Sequence, residues 1–329
     1  MLRSSIRQSL VTKVILRSIS TTKLGGMNSA PVVVSPSKAE VQAGRLRERN
    51  LELAVRSVLQ DGLVVIKDAI NHDVLDKLND KMKEDAVILR NAGENSPFNY
   101  NRGNLQQDAP PVRAHFEPTI FLNPLATQVT SSVLGPRPKL TFMSGNTAMP
   151  AAEGVEPQRQ PVHADADFRH PSHPFALVIN VGLVDMNPNN GSTELWLGTH
   201  ATTSIDDQEG AHGERASGRI KEASLERRRA VSPPMQPTIS KGSLVIRDLR
   251  LWHAGMPNLT AEVRIMLAMI HFAPWYRNQM RLELGEGVRS LVEAEKDLDI
   301  RADFIPEQEA MKRYLNRGFG NSYDFNQTP

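Results

Sequence analysis

Apolar residues recur at helical spacing before about residue 135, and alternate or run together in short blocks after it. In the first part, Leu51 to Leu59 reads as a helix, Gly62-Leu-Val-Val-Ile-Lys67 as a strand, and His72 to about Leu89 as an amphipathic helix. Residues 92–116, rich in Asn, Gln, Pro and Gly, show little periodicity and read as a long surface loop, a kind of segment that often borders sites. A short helix follows near Leu125 to Leu134. The segments 138–147, 161–168, 175–185, 193–197, 243–247 and 263–273 then have the spacing of strands, separated by turn residues. Many strands with few helices between them predict a mainly β fold with flanking helices, an antiparallel sandwich or barrel rather than a parallel α/β sheet. Residues 201–238, charged and broken by Gly and Pro, are too long for a hairpin loop and are expected to form a lid inserted over one end. Its Gly210, Gly213 and Gly218 allow hinges, and His212, Arg215 and Arg219 are within reach of a polar substrate. Residues 280–316 read as further helix packed outside.

Composition narrows the class. A chain of 329 residues, 40% of them hydrophobic, can bury a substantial core, here assigned to a single domain over 45–320. No apolar run approaches the ~18 residues that span a bilayer. With no cysteine, the chain has no disulfide, thiolate zinc site, iron–sulfur cluster or cysteine nucleophile, so any metal must be held by nitrogen and oxygen. The formal charge of +2 is shaped by the first 39 residues, where Arg3, Arg7, Lys13, Arg17, Lys23 and Lys38 stand without an acid. Setting these six aside from 39 basic residues leaves 33 against 37 acids, a mildly acidic body that does not point to nucleic acid. The leader, residues 1–44, has serines, threonines and helically spaced Leu2, Ile6, Leu10 and Val14, and resembles a mitochondrial presequence. The alternatives are a disordered tail, or Met27 as the working start, and then a cytoplasmic protein.

Candidate chemistry begins at Gln160-Pro-Val-His-Ala-Asp-Ala-Asp-Phe168. On a strand, His163, Asp165 and Asp167 share one face. Residues two apart lie ~6.5–7 Å apart and residues four apart ~13 Å, so His163 pairs with Asp165, not Asp167, on one ion. A solvated strand end is the plain alternative. A third ligand must come from elsewhere. His253, just past a predicted strand and beside Gly255 and Pro257, is the choice; His200 is the competitor, with a local hydrogen-bonding role equally open to it. Two histidines and one carboxylate form the facial triad of non-haem Fe(II) oxygenases, which leaves positions open for co-substrate and O2. A zinc hydrolase needs only one open position. Arg264 shares a face with Met266, Ala268 and Ile270, so its guanidinium points into an apolar interior and needs a partner there. Asn180 repeats that oddity in Phe175-Ala-Leu-Val-Ile-Asn-Val-Gly-Leu-Val184, and Thr193 opens the next strand.

Taken together these residues resemble the phytanoyl-CoA dioxygenase family of Fe(II)- and 2-oxoglutarate-dependent oxygenases. The resemblance covers roughly residues 58–275 and rests on His-Ala-Asp at 163–165, Asn-Gly-Ser-Thr-Glu-Leu-Trp-Leu-Gly-Thr-His at 190–200, Trp-His-Ala-Gly at 252–255, and Arg264 eleven residues after His253. It implies a double-stranded β-helix, or jelly roll, with Fe(II) held by His163, Asp165 and His253. It also implies Arg264 and Thr193 on the far carboxylate of 2-oxoglutarate, with Gln160 and Asn180 where family members contact the same co-substrate. His200 falls in a structural turn of the family, where Leu-Gly-Thr-His replaces the frequent Pro-Gly-Ser-His. The implied reaction consumes 2-oxoglutarate and O2, releases succinate and CO2, and by default hydroxylates a small organic molecule; desaturation, epoxidation and rearrangement are other fates. The similarity is nearer the microbial oxygenases of secondary metabolism than the acyl-CoA enzymes. Arg159, Arg169, His170, His271 and Trp275 are candidates for the substrate mouth, each with a plain reading as surface charge or rim packing. A small-molecule substrate is thus the expected partner, with a dimer open. A zinc-water hydrolase and a non-catalytic jelly-roll binder are the rivals; Arg264, Asn180 and Thr193 speak against the first and an intact triad against the second.

Overall fold

The computed structural model describes residues 30–151, 154–210, 216–316, 324 and 327. The leader up to residue 29, and His212, Gly213 and Arg215 of the expected lid, lie outside these. Five of its helices are α1 (Glu48–Asp61), α2 (His72–Arg90), α3 (Pro124–Leu134), α4 (Glu222–Val231) and α5 (Glu307–Asn316). Their ends follow local chemistry: α1 stops on Gly62 at φ 80, and α3 starts with Pro124 behind Asn123, whose side chain accepts from the N–H groups of Leu125 and Ala126.

The strands that build the site are β1 (Leu63–Ile66), β2 (Asn101–Gln106), β3 (Lys139–Ala148), β4 (Ala176–Gly182), β5 (Glu194–Leu195), β6 (Leu244–Asp248), β7 (His253–Ala254) and β8 (Arg264–Phe272). Six of them run β1-β6-β4-β8-β3-β2 within one nine-stranded sheet, each antiparallel to its neighbour. A second, short sheet faces it. There β5 pairs with β7, His163 bridges both His253 and Arg219, Leu195 bridges Met235, and Met186 bridges Ile239. From β3 onward the chain crosses repeatedly between the two sheets, which is the double-stranded β-helix. The outward residues of the large sheet, among them Leu177, Ile179, Leu267 and Met269, are buried in one core with Leu75, Met82, Leu125 and Val129 of α2 and α3. Each such side chain contributes ~1.5–3 kcal/mol by leaving water.

Four expectations need correction. The stretch assigned to the leader is not tail up to residue 44: Val33–Val34 pairs in parallel with β1, and Lys38–Ala43 is a helix capped by Ser37. Residues 92–116 are not all loop: Phe98–Asn99 and β2 extend the large sheet, with Leu105 opposite Thr147. Their polar sequence suits a sheet edge whose inward side chains meet a polar cavity wall. The expected lid is woven into the short sheet. Ala164 N–H donates to Gly218 O (3.0 Å), Ile220 N–H to Val162 O (2.9 Å) and Leu195 N–H to Met235 O (2.8 Å), with α4 in between. Finally, 280–316 is not helix throughout, since Leu282–Gly285 and Ala302–Ile305 pair as parallel strands before α5. No helix among the described residues is long and apolar enough to cross a membrane.

Candidate metal centre

Two histidines from different segments are placed opposite each other by the backbone. His163 N–H donates to His253 O and His253 N–H to His163 O, both at 2.9 Å. Such a pair carries its side chains on the same face of the sheet. Asp165, two residues beyond His163, shares that face. One ligand atom from each of His163, Asp165 and His253 lies within 4.8 Å of the others, while Asp167 is outside the group. Each imidazole is locked through Nδ1, which lies 2.9 Å from Pro161 O for His163 and 2.9 Å from Leu251 O for His253. A carbonyl only accepts, so Nδ1 carries the proton and Nε2 keeps its lone pair. The two Nε2 atoms stand 3.9 and 3.7 Å from Asp165 Oδ1, too long for hydrogen bonds. Burial holds both histidines below their ordinary range, so they are neutral at neutral pH. Burial alone would raise Asp165, but the charge and hydrogen bond of the Arg247 guanidinium beside it bring it down to about 2. Two free imidazole nitrogens and an ionised carboxylate suit a divalent ion.

The centre opens on a cavity of about 600 Å³. Its floor can be read rung by rung from the sheet register. Met266 lies opposite Asn146, Ala268 opposite Ser144 and Asn180, and Ile270 opposite Phe142 and Val178; Asn180 is in turn opposite Val245, and Val178 opposite Arg247. All of these line the cavity, and Gln160 and Thr193 line its walls. Arg264 sits one rung beyond the lining, opposite Ala148. It is 1% exposed, and its guanidinium donates to Asn146 O (3.0 Å), Asn146 Oδ1 (3.2 Å), Gly191 O (2.9 Å) and Asn190 O (3.4 Å). All these partners are neutral, and no carboxylate pairs with it among the described residues. Burial draws its pKa down to about 10.

Gln160 ties the two ligand segments together, since its Oε1 accepts from Gly255 N–H at 2.8 Å. Asn180 is fully engaged: its Nδ2 donates to Leu267 O (3.2 Å) and its Oδ1 accepts from Arg247 Nε (3.1 Å). His200, buried with Nε2 3.1 Å from Leu59 O, is structural.

The expected mouth residues are placed elsewhere. His271 falls on the outer face because side chains alternate after Ile270; it is buried, 2.9 Å from Thr130 Oγ1, and held at about 3 by burial. His170 stacks on Phe175, and Trp275 lies against His173, neither of them in the cavity wall. Arg159 pairs with Glu194 at 2.7 Å, and Arg169 is exposed.

Two residues escaped the sequence reading. Tyr100, at φ 66, lines the cavity with its ring centroid 5.1 Å from that of His163, and the Arg219 guanidinium lies over the Tyr100 ring, 5.7 Å from its centroid. Nothing in its aperiodic segment marks it. Arg247 was findable: in Ser243-Leu-Val-Ile-Arg247 it shares a face with Val245, the same anomaly that singled out Arg264.

Solved structures of similar fold include the epimerase SnoN in complex with Fe3+, alpha ketoglutarate and nogalamycin RO, with 15% identity over 79% of this chain and 97% of that one at a TM-score of 0.53. EctD from S. alaskensis in its apoform is 17% identical over 84% of this chain and 93% of that one, at a TM-score of 0.51. At these identities the likeness supports the jelly roll alone. The family model described as phytanoyl-CoA dioxygenase, by contrast, matches residues 58–266, most of the jelly roll with His163, Asp165, His253 and Arg264, and the chain belongs to that family.

Proposed function

We propose that the protein oxidises a small organic molecule, by default hydroxylating it, with release of succinate and CO2. The observation that carries this is the pairing of a two-histidine, one-carboxylate centre with a buried guanidinium that has only neutral partners, at the margin of one cavity. His163, Asp165 and His253 would hold Fe(II), and Arg264 would take the far carboxylate of 2-oxoglutarate, with Asn146 and Thr193 beside it. When bound, iron and 2-oxoglutarate supply the activation of O2 coupled to decarboxylation of the co-substrate. A zinc hydrolase has no use for the second feature.

The protein's own residues present the ligands and shape the space. Pro161 and Leu251 fix the imidazole tautomers, Arg247 occupies one oxygen of Asp165 at 2.7 Å and leaves the other to the ion, and Gln160 couples the two ligand segments. Phe142, Val178 and Ile270 make one end of the floor apolar and exclude water. Ser217, Gly218 and Pro237 close the cavity from the segment expected as a lid, with Ile239 just beyond it. A volume of about 600 Å³ suits one small molecule beside the co-substrate.

The test is anaerobic addition of Fe(II) and 2-oxoglutarate. A weak visible charge-transfer band is expected, and its absence at saturating iron removes the assignment. A metabolite panel followed for succinate and product mass then separates gain of an oxygen atom from loss of two hydrogens. Arg264→Lys should raise the 2-oxoglutarate requirement ~10-fold or more, because a point charge replaces a bidentate fork. An unchanged requirement assigns the arginine another task.

A further inference from the structure

Arg247 occupies the apolar end of the cavity floor, on the rung of Val178 and Ile270. Its side chain is 9% exposed. Two of its three nitrogens have partners: Nη2 donates to Asp165 Oδ2 at 2.7 Å and Nε to Asn180 Oδ1 at 3.1 Å. The third, Nη1, is buried and has no hydrogen-bond partner among the described residues. If Arg247 served only as counter-ion to Asp165, Nη2 and the charge would suffice, and Asn180 need not hold the plane of the guanidinium. A buried donor left open costs free energy that a ligand oxygen would offset.

We propose that Arg247 is a positioning residue with two coupled tasks. It holds Asp165 so that one oxygen faces the ion, and through Nη1 it donates to an anionic oxygen of the ligand bound beside that ion, a carboxylate of the dicarboxylate co-substrate. This rests on the function proposed above. Arg264 and Arg247 then divide the dicarboxylate between them, from beyond one end of the floor and from the other end. Because Arg247 touches both a metal ligand and the co-substrate, ion and co-substrate strengthen each other's binding through it, whereas Arg264 acts on the co-substrate alone. Asn180, expected to contact 2-oxoglutarate, acts by orienting Arg247.

The experiment uses Arg247→Gln, Arg247→Lys and Asn180→Ala, with Arg264→Lys as the contrast. Co(II) affinity is measured with and without 2-oxoglutarate, and the anaerobic Fe(II) charge-transfer band gives the co-substrate affinity and band position. Arg247→Gln should weaken Co(II) binding ~10–100-fold, the size seen when a partner of a metal ligand is removed. Arg247→Lys should recover part of that by its charge, but not the strengthening of Co(II) binding by 2-oxoglutarate. Asn180→Ala, which leaves both charges in place and keeps the fold testable if Arg247 variants fail to accumulate, should shift the band while Co(II) affinity without 2-oxoglutarate changes less than ~3-fold. Wild-type Co(II) affinity in Arg247→Gln overturns the proposal, as does full recovery of coupling in Arg247→Lys or an unmoved band in Asn180→Ala. A wild-type protein without any band overturns the function proposed above instead, and the Co(II) measurement alone still judges the clamp on Asp165.

Discussion

The large sheet and the short one face each other across the cavity and are built by different rules. In the large sheet β8 is nine residues long and is paired along both edges, so each inward side chain has a neighbour fixed by register. In the short sheet the strands are two residues long or single bridges, and position is set by turns and side chains: Gln160 against Gly255, Gly218 against Ala164. The regular sheet supplies a floor of defined shape, with Arg247 on it and Arg264 one rung beyond its end. The broken sheet carries all three candidate metal ligands, where a backbone free of ladder constraints can aim them at one point. Stability and chemistry are thereby separated, and substitutions on the two sides should fail in different ways.

The largest effects come from substitutions at the ligands on one side and in the core on the other. His163→Ala and Asp165→Ala should abolish turnover and metal binding; the melting temperature of metal-free His163→Ala should stay within a few degrees, whereas Asp165→Ala also leaves the buried Arg247 guanidinium without its carboxylate and should lose stability for that reason. Asp167→Ala should retain much of its activity. Leu267→Ala, at a fully buried position of the large sheet, should instead cost ~2–5 kcal/mol of stability while the folded fraction still binds one metal per chain. Thermal melts and metal stoichiometry check both arms. Loss of metal in folded Leu267→Ala, or collapse of the fold in His163→Ala, breaks the separation.

The same contrast explains what the sequence disclosed. Long paired strands impose a strict period of two, so β3, β4, β6 and β8 could be placed from alternation, and Arg264 and Asn180 stood out as polar residues on an inward face. Arg247 obeyed the same rule and was passed over. His271 was misplaced although the rule puts it on the face opposite Ile270, a reminder that a chemically suggestive side chain needs its parity checked. The short sheet left less trace. A two-residue strand has no period, and residues 216–220 pair with 162–167 only because three-dimensional closure brings them there, so the segment read as a lid. The ligands themselves were legible because spacing of His163 and Asp165 is local; His253 was singled out by its place just past a strand, beside Gly255 and Pro257, and the family resemblance agreed with it. Tyr100 depends on a left-handed turn that no pattern announces.

A smaller effect sharpens the picture of the regular sheet. His271 lies on its outer face, where burial holds the imidazole at about 3 against an ordinary 6.5. Between those values the unfolded chain takes up a proton that the native one refuses. This share of stability is complete above about 6.5 and is lost as pH falls toward 3, at ~1.4 kcal/mol per pH unit. His271→Leu removes that slope. Near neutral pH the variant should be less stable by ~1 kcal/mol for the lost bond, a modest cost because Thr130 Oγ1 also donates to Thr127 O. The deficit should shrink and reverse as pH falls. Urea melts at about pH 7, 6, 5 and 4 read this directly; a constant difference throughout would show that the buried imidazole accepts its proton without penalty.

The smallest effect asks whether the edge of the broken sheet holds the ligands in place. Gly218 adopts φ +76, and a Cβ there would stand 3.1 Å from Ala164 O, the carbonyl between His163 and Asp165. Gly210, in the same segment, has a similar φ of +70, but among the described residues its Cβ would meet only Ser217 Cβ at 3.8 Å, an ordinary contact. Alanine at either position carries the same left-handed strain, of ~1–2 kcal/mol. Only at Gly218 must the strand between two metal ligands give way as well. Gly218→Ala should therefore weaken Co(II) binding ~3–10-fold, the equivalent of about 1 kcal/mol of misplacement, and Gly210→Ala should leave it unchanged at a similar loss of stability. Equal metal affinity in the two variants would mean that the His163–Asp165 segment keeps its geometry without residues 216–220, and that these residues only wall the cavity.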